Sequence, residues 1–317
     1  MRSAQGLSAA HRVSILRAII LGIVLAAGAL AARGAAAPPG AARAVSDDLG
    51  RTVRVRAAPL RIVSLAPGVT EMLFAAGAGP EVIATVEYSD EPPAARAVPR
   101  IGDVATIDME RLVALEPDVV VAWPAGGNPA QRARIAALGM PLYQQQVVRL
   151  ADLPASLRRL GVLAGTEAAA ERAAHALEER LASLARTYGA GADGRRPTVL
   201  LQVWNRPVYT IGGKHLMSDA LELCGARNVF ADLPEPAPLV DTEAIIARNP
   251  DIIVAASPPG ESAAWVADWQ RFGSLAAVRG GRVVAFEDQG LSRLGPSVLD
   301  ATESLCRTIA RVSRGSS

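Results

Sequence analysis

The side chains best placed for contact chemistry in this 317-residue chain are Tyr88, Trp123, Trp204, Asp288 and Arg293. Each follows an apolar run that reads as a β-strand: 82–86 before Tyr88, 119–122 before Trp123, and 198–203 before Trp204. Asp288 and Arg293 stand in the loop after a fourth run, 283–286. In open α/β sheets, ligands sit outside the carboxyl ends of strands. The chain has only four Trp and four Tyr, so their placement there is informative. The chemistry on offer is non-covalent, with flat aromatic walls and a few polar groups to orient a ligand. The competing reading is that Trp123 and Trp204 cap the hydrophobic core.

Catalytic chemistry has no comparable support. The sequence has no Gly-x-Ser-x-Gly elbow, no zincin histidine pair and no Cys-x-x-Cys. Gly212-Gly-Lys214 lacks the earlier glycine of a phosphate-binding loop. The three histidines are His11, His175 and His215. They are too scattered for a histidine-rich metal site, so no metal and no cofactor is expected. His175 lies in a charged helical stretch and reads as solvated; His215 reads as a loop or helix-start residue. The chain is expected not to be an enzyme.

The elements that must position these groups are ordered around residues 152–189. This stretch is rich in Ala, Leu, Arg and Glu, with leucines at Leu157, Leu160, Leu163, Leu177, Leu181 and Leu184. That spacing is helical. Gly161 and Gly165 weaken its first half, and Thr166 is a candidate N-cap, which predicts a shorter helix followed by a long one. On either side stands a copy of one motif. Asp108/Asp241, Glu110/Glu243, Pro117/Pro250, Asp118/Asp251 and Ala122/Ala255 match at one constant offset. Each copy predicts an Asp-capped short helix, a Pro-Asp turn and a buried apolar strand. Continuous Val/Ile runs suit parallel strands covered on both faces. The fold class expected is α/β, with two Rossmann-like lobes joined by a long central α-helix. The boundaries are 1–37 for an export signal, 38–149 for the first lobe, 150–190 for the linking helix and 191–317 for the second lobe. Chance recurrence of a common αβ unit is the alternative to duplication. At finer scale, Thr70 or the loop before it is expected to cap a helix over 71–76, and Ser218 to cap one running to Leu223.

The N-terminus places Arg2, Arg12 and Arg17 before an apolar run, 18–32, followed by Ala35-Ala36-Ala37. That order is a secretory signal peptide, cut after Ala31 or Ala37. The alternative, a membrane anchor, needs a longer run. The mature chain is therefore expected in the periplasm and not embedded in the membrane. The formal charge of +2 becomes −2 once the four arginines of this segment are removed, so the charge gives no reason to expect a nucleic-acid partner. Cys224 and Cys306 are the only cysteines. In an exported chain an even pair points to a disulfide, with two free buried thiols as the alternative.

Several stretches resemble a known family. Arg61-Ile-Val-Ser-Leu-Ala-Pro-Gly-Val-Thr-Glu71, Tyr88-Ser-Asp-Glu-Pro-Pro93, Glu110-Arg-Leu-Val-Ala-Leu-Glu-Pro-Asp118, Ala122-Trp123 and Leu223-Cys-Gly-Ala-Arg-Asn-Val-Phe230 are similar to the periplasmic cobalamin-binding proteins that feed ABC importers. The resemblance runs from about Arg61 to Arg311 and points to the helix-linked class III periplasmic binding proteins. It implies a ligand held between two lobes that close little. It places Tyr88, Trp123, Asp288 and Arg293 at ligand contacts, with Trp204 beside another, and makes Cys224 and Cys306 a disulfide. It also makes Glu110 and Glu243 the acids, one per lobe, that dock on arginines of the permease. An acid in a first helical turn is also favoured by the helix dipole alone, and both roles can coexist. The chain departs from the family at Val104 and Ala237, where cobalamin binders carry tryptophans; Trp204 is the candidate replacement.

The expected function is a monomeric carrier that captures cobalamin or a related corrinoid and delivers it to an ABC import permease. Cobalamin is then the transported ligand rather than a cofactor. A carrier of haem or a ferric siderophore is the alternative, with Tyr88 as an iron-binding phenolate. An exported tetrapyrrole-modifying enzyme and a purely structural envelope protein rank behind these.

Overall fold

A computed structural model describes residues 43–57, 60–190 and 194–314. The export segment and its two cleavage positions lie outside them. Strands β1 (Arg43–Ser46) and β2 (Thr52–Val55) form an antiparallel hairpin. Strands β3 (Ile62–Ser64), β4 (Val82–Ala84), β5 (Val119–Ala122) and β6 (Leu142–Gln144) make a parallel sheet in the order β4-β3-β5-β6. Strands β7 (Thr198–Gln202), β8 (Arg227–Asn228), β9 (Ile252–Ala256) and β10 (Val283–Phe286) make a second parallel sheet, β10-β9-β7-β8. Counted from its own first strand, each sheet carries its strands in the order second, first, third, fourth. The two halves thus share one topology, in agreement with the repeated motif.

The repeat is visible down to single hydrogen bonds. Its copies are α2 (Met109–Ala114) leading to β5, and α7 (Thr242–Arg248) leading to β9. Asp108 accepts from the Arg111 N–H at 2.9 Å, and Asp241 from the Ala244 N–H at 2.7 Å. These are side-chain N-caps. Each helix exits through a left-handed residue, Glu116 at φ 44° and Asn249 at φ 43°. Asp118 Oδ2 then accepts from the Arg61 N–H at 2.7 Å, and Asp251 Oδ2 from the Thr198 N–H at 2.8 Å. The Asp of each Pro-Asp turn therefore pins the start of the first strand of its own sheet. β5 is buried along its whole length, as Val runs in a doubly covered strand should be.

Between the sheets run α4 (Leu153–Ala164) and α5 (Glu167–Tyr188). Helices α1 (Pro67–Ala75) and α3 (Pro129–Ala137) belong to the first half. Helices α6 (Leu216–Leu223), α8 (Ser262–Trp269), α9 (Ala276–Arg279) and α10 (Val298–Arg314) belong to the second. Leu153, Leu157, Leu160 and Leu163 of α4 are fully buried in one core. That core reaches from the β1–β2 hairpin, through α1 and α5, to Leu216 of α6 and Val298 of α10. The halves therefore share apolar packing, and are not tethered by a bare linker. Among the described residues, no helix is long and apolar enough to cross a membrane.

Two helix starts differ from the sequence reading, and at a third the expected cap residue is in place but its hydroxyl bonds elsewhere. Helix α1 begins at Pro67, because proline's fixed φ is preorganised for a first helical turn; Thr70 lies inside it and donates to the Ala66 carbonyl at 3.1 Å. Thr166 does stand at the N-cap of α5, but its hydroxyl donates to the Ala76 carbonyl at 2.6 Å, tying α5 to the end of α1. For α6 the cap is His215 rather than Ser218: its Nδ1 accepts from the Met217 N–H at 3.1 Å. Burial holds the His215 pKa down and so keeps the imidazole neutral, which that acceptor role requires. Ser218 accepts instead from Asn228 Nδ2 at 3.2 Å.

One direct contact joins the halves beside the strand ends. At Gly68 a Cβ would lie 2.8 Å from the backbone of Leu294, and at Gly295 one would lie 2.5 Å from the Glu71 carboxylate. Glycine at both positions lets the two backbones meet. Glu71 is only 7% exposed. It accepts from the Ser297 N–H and, at 2.8 Å, from the Ser297 hydroxyl. Burial raises its pKa, against the opposing pull of those two hydrogen bonds and of the nearby Arg293 charge; Glu91 adds to the rise. Cys224 at the end of α6 is disulfide-bonded to Cys306 in α10 across a sequence separation of 82.

Two predictions follow from this packing. Because the Glu71 pKa is raised in the folded state, its contribution is present at pH below the ordinary 4.5 and is lost as pH rises through the folded value. In denaturant titrations at a series of pH values, Glu71→Gln should flatten that decline; an unchanged pH profile would show that Glu71 does not titrate abnormally. Replacing both Cys224 and Cys306 by alanine should lower the unfolding free energy by about 4–5 kcal/mol, the chain-entropy value for a loop of this size. Urea unfolding of the variant against the oxidised parent measures it.

Candidate ligand-binding site

A cavity of about 420 Å³ opens where strand ends of both halves meet. Its first-half wall is built from the N-cap and first turn of α1, which follows β3 (Ala66, Pro67, Gly68 and Val69), Tyr88 after β4, Trp123 after β5 and Gln145 after β6. Val104 completes that wall. Its second-half wall is the loop after β10, with Gln289, Ser292, Arg293 and Leu294. Strand β3 is adjacent to β5, and their onward connections leave toward opposite sides of the sheet. The cavity therefore lies at the topological switch point of the first sheet, where α/β sheets bind ligands.

Each aromatic is held by a specific local device. Trp123 is half-buried and packs on the main core. The Gly126 backbone lies so close over its ring that a Cβ there would fall 2.0 Å from the indole. That contact explains the glycine-rich loop after β5. Tyr88 sits at φ 65° and is 75% exposed. A left-handed conformation is uncommon for an aromatic residue, and such strain clusters where structure serves binding. Beneath it, Thr70, Thr85 and Ser89 form a buried hydroxyl cluster, with Thr70 to Thr85 at 2.6 Å and Thr85 to Ser89 at 2.9 Å. This cluster ties the loop that carries Tyr88 to α1.

The structure brings Tyr88, Trp123 and Arg293 together around the cavity. Asp288 is not in its lining. Its carboxylate accepts from the Gly290 N–H at 2.9 Å and caps the short 3-10 turn Gln289–Ser292. It therefore shapes the loop that delivers Gln289, Ser292 and Arg293. Trp204 also lies apart from this lining. It is 55% exposed and stands edge-on to Trp265, with ring centroids 6.5 Å apart. With Arg206, Glu261 and Asp268 they line a shallower hollow of about 390 Å³. Its loop is braced by a chain of side chains: Trp269 Nε1 donates to Gln202 at 2.8 Å, Gln202 to Asn205 at 3.0 Å, and Asn205 to Asp268 at 2.9 Å. Arg206 pairs with the same Asp268 at 2.7 Å.

Of the two departures from the cobalamin-binder pattern, Val104 does lie in the cavity wall, whereas Ala237 is exposed and outside the lining. A valine at that point leaves the cavity wider than a tryptophan would. Sequence reasoning missed Gln145, Gln289 and Ser292. The strand-end rule would have found Gln145, which directly follows β6, had polar residues been weighed with the aromatics. Glu110 and Glu243 are exposed, one per half, in the first turns of α2 and α7. Among the described residues, no group of three or more His, Cys, Asp or Glu is arranged to hold a metal ion.

Residues 62–289 match the family model described as "Periplasmic binding protein". A curated "Vitamin B12-binding protein" of Pectobacterium carotovorum is 34% identical over 261 residues, covering 82% of this chain and 92% of that protein. The crystal structure of the "periplasmic Vitamin B12 binding protein BtuF of Vibrio cholerae" superposes with a TM-score of 0.72 at 31% identity, covering 81% of this chain and 99% of that one. The "Periplasmic heme-binding protein RhuT from Roseiflexus sp. RS-1" superposes with a TM-score of 0.66 at 26% identity, covering 80% and 98%. Matched by the family model over most of its length, with its two like-wound sheets on a shared helical core, the chain belongs to the periplasmic binding protein family.

Proposed function

We propose that this protein captures cobalamin or a related corrinoid between its halves and presents it to the permease of an ABC importer in the periplasm. The observation that carries the reading is the cavity at the strand ends. It has aromatic walls at Tyr88 and Trp123, and a polar fringe at Gln145, Gln289, Ser292 and Arg293. Flat, partly apolar macrocycles with a polar periphery are the ligands such a lining suits. Relatives named for vitamin B12 binding support the corrinoid over other macrocycles. We assign Tyr88, Trp123 and Arg293 to direct ligand contact. Asp288 shapes the loop that carries Arg293, and Trp204 forms an outer wall on the second half. The protein acts as a binding protein rather than an enzyme, as a monomer, with the ligand as cargo and no resident cofactor.

A haem carrier is the second reading. It is favoured by the exposed Tyr88 phenol at the mouth of the cavity and by the likeness to haem-binding proteins. Glu110 and Glu243 are proposed as docking acids for the permease. They occupy equivalent positions of the repeat, are exposed, and form no ion pair within the chain among the described residues. Two charge-assisted contacts, one per half, would fix orientation on a symmetric membrane partner.

Calorimetric titration of the mature protein should show one-to-one, submicromolar binding of cyanocobalamin. Trp123→Ala should weaken it about thirtyfold, the effect of losing a hot-spot residue worth roughly 2 kcal/mol. Tight haem binding with no corrinoid binding would move the assignment to the second reading. Glu110→Arg combined with Glu243→Arg should abolish transport in a reconstituted importer and leave the cyanocobalamin isotherm unchanged. Loss of ligand binding in the isolated variant would count against the docking role.

A further inference from the structure

Gln145 lines the cavity yet is only 1% exposed. Its backbone N–H donates to the Ala122 carbonyl at 2.9 Å, which fixes the residue at the ends of β5 and β6. Its side chain is held by a relay that starts in the β1–β2 turn. The Asp48 carboxylate has no solvent exposure. It accepts from Arg159 Nε at 2.7 Å, from the Gln146 N–H at 2.9 Å, from the Tyr143 hydroxyl at 3.3 Å and from the Ser156 hydroxyl at 2.6 Å. A carboxylate only accepts, so the single hydroxyl proton of Ser156 is committed to Asp48. Ser156 Oγ has only lone pairs left, and it takes a hydrogen bond from Gln145 Nε2 at 3.2 Å. Turning the amide over would set Oε1 against those lone pairs. One orientation of the amide is therefore enforced. Oε1 has no partner within the chain among the described residues, and the residue that carries it belongs to the cavity lining.

The opposite wall repeats the pattern. Gln289 Nε2 donates to the Ser257 carbonyl at 3.0 Å, and a carbonyl can only accept. That bond orients the amide, and its Oε1 has no partner within the chain among the described residues. The cavity thus presents an oriented glutamine oxygen from each half. Behind the first of them lies the buried negative charge of Asp48.

We infer that Gln145 and Gln289 are specificity-determining residues that accept N–H groups from carboxamides on the ligand's periphery, with Ser156 and Asp48 as positioning residues for Gln145. The inference rests on the corrinoid reading above and deepens it. A primary amide on the ligand satisfies an outward-facing Oε1. A carboxylate at the same point sets oxygen against oxygen and leaves both unpaired, which is how polar sites reject near-isosteres. The site selects an amide-fringed macrocycle over an acid-fringed one. Arg293 also lines the cavity and keeps its charge in every variant, so the amide preference is read from the change that the glutamine substitutions make.

The test compares cyanocobalamin with its separated monocarboxylic acids, each having one peripheral amide hydrolysed. Titrations use the wild-type protein, Gln145→Met, Gln289→Met and Ser156→Ala, each first checked by thermal melting. The wild type should bind at least one monoacid about tenfold more weakly than cyanocobalamin, the loss expected from one unmet polar contact. Gln145→Met or Gln289→Met should bind cyanocobalamin about tenfold more weakly and lose that preference, as for one hydrogen bond removed. Ser156→Ala should narrow the amide-over-acid ratio without abolishing binding. Should Gln145→Met misfold, Gln289→Met on its exposed loop carries the same test. A ratio left intact in both glutamine variants overturns the inference while the corrinoid reading stands. Failure of the wild type to bind cyanocobalamin overturns the reading itself.

Discussion

The site depends on one steric constraint, the meeting of two backbones at Gly68 and Leu294. Any side chain at Gly68 would have to occupy the space of the Leu294 peptide, and any at Gly295 that of the Glu71 carboxylate. With glycine at both points, the start of α1 and the loop after β10 come into contact. Glu71 then reaches across to hold the N–H and hydroxyl of Ser297. A desolvated carboxylate is costly to bury alone, and these two donors with the Arg293 charge offset part of that cost. The contact closes one side of the cavity, and it fixes how far Tyr88 and Trp123 stand from Arg293. The shared leucine core beneath makes the spacing stiff, since shearing α4 against its neighbours would open apolar surface to water.

Much of the architecture was legible because it is written in periodicity and punctuation. The leucine spacing announced α4 and α5. The Asp caps and Pro-Asp turns of the two repeats announced α2, α7 and the strands after them, and the structure adds the equal strand order and the paired strand-start bonds of Asp118 and Asp251. What stayed hidden depends on tertiary partners. Thr70, Thr166 and Ser218 all look like helix caps, but their hydroxyls are engaged elsewhere by neighbours distant in sequence or by a preceding helical turn. His215 caps α6 because burial keeps it neutral, and no local pattern encodes burial.

The site was legible in its aromatics and much less in its polar groups. Tyr88, Trp123 and Arg293 could be placed by the strand-end rule, since each follows a recognisable apolar run. Asp288 obeys the same rule yet is taken up in capping a 3-10 turn, a role set by one N–H two residues away. Trp204 follows β7 as expected, but its ring finds Trp265, whose position depends on α8 packing. Gln145 lies in a run of three glutamines that reads as loop filler. Only the approach of Ser156 and of Asp48, far away in sequence, singles out the middle one.

The same stiffness bears on how a carrier of this build lets go of its cargo. A ligand held between rigid walls is not released by a loose hinge, because α4 and α5 share their core with both halves. Moving the walls apart means separating Gly68 from Leu294 and Glu71 from Ser297. Under the proposed function, Glu110 and Glu243 give a membrane partner one handle on each half, at positions made equivalent by the repeat. A partner that grips both handles senses the spacing of the halves directly. If its preferred spacing is wider than that of the loaded protein, docking energy is spent on opening the contact at the cavity, and ligand affinity falls by the same free energy. The acids that orient the carrier would then also loosen its grip, without a separate switch.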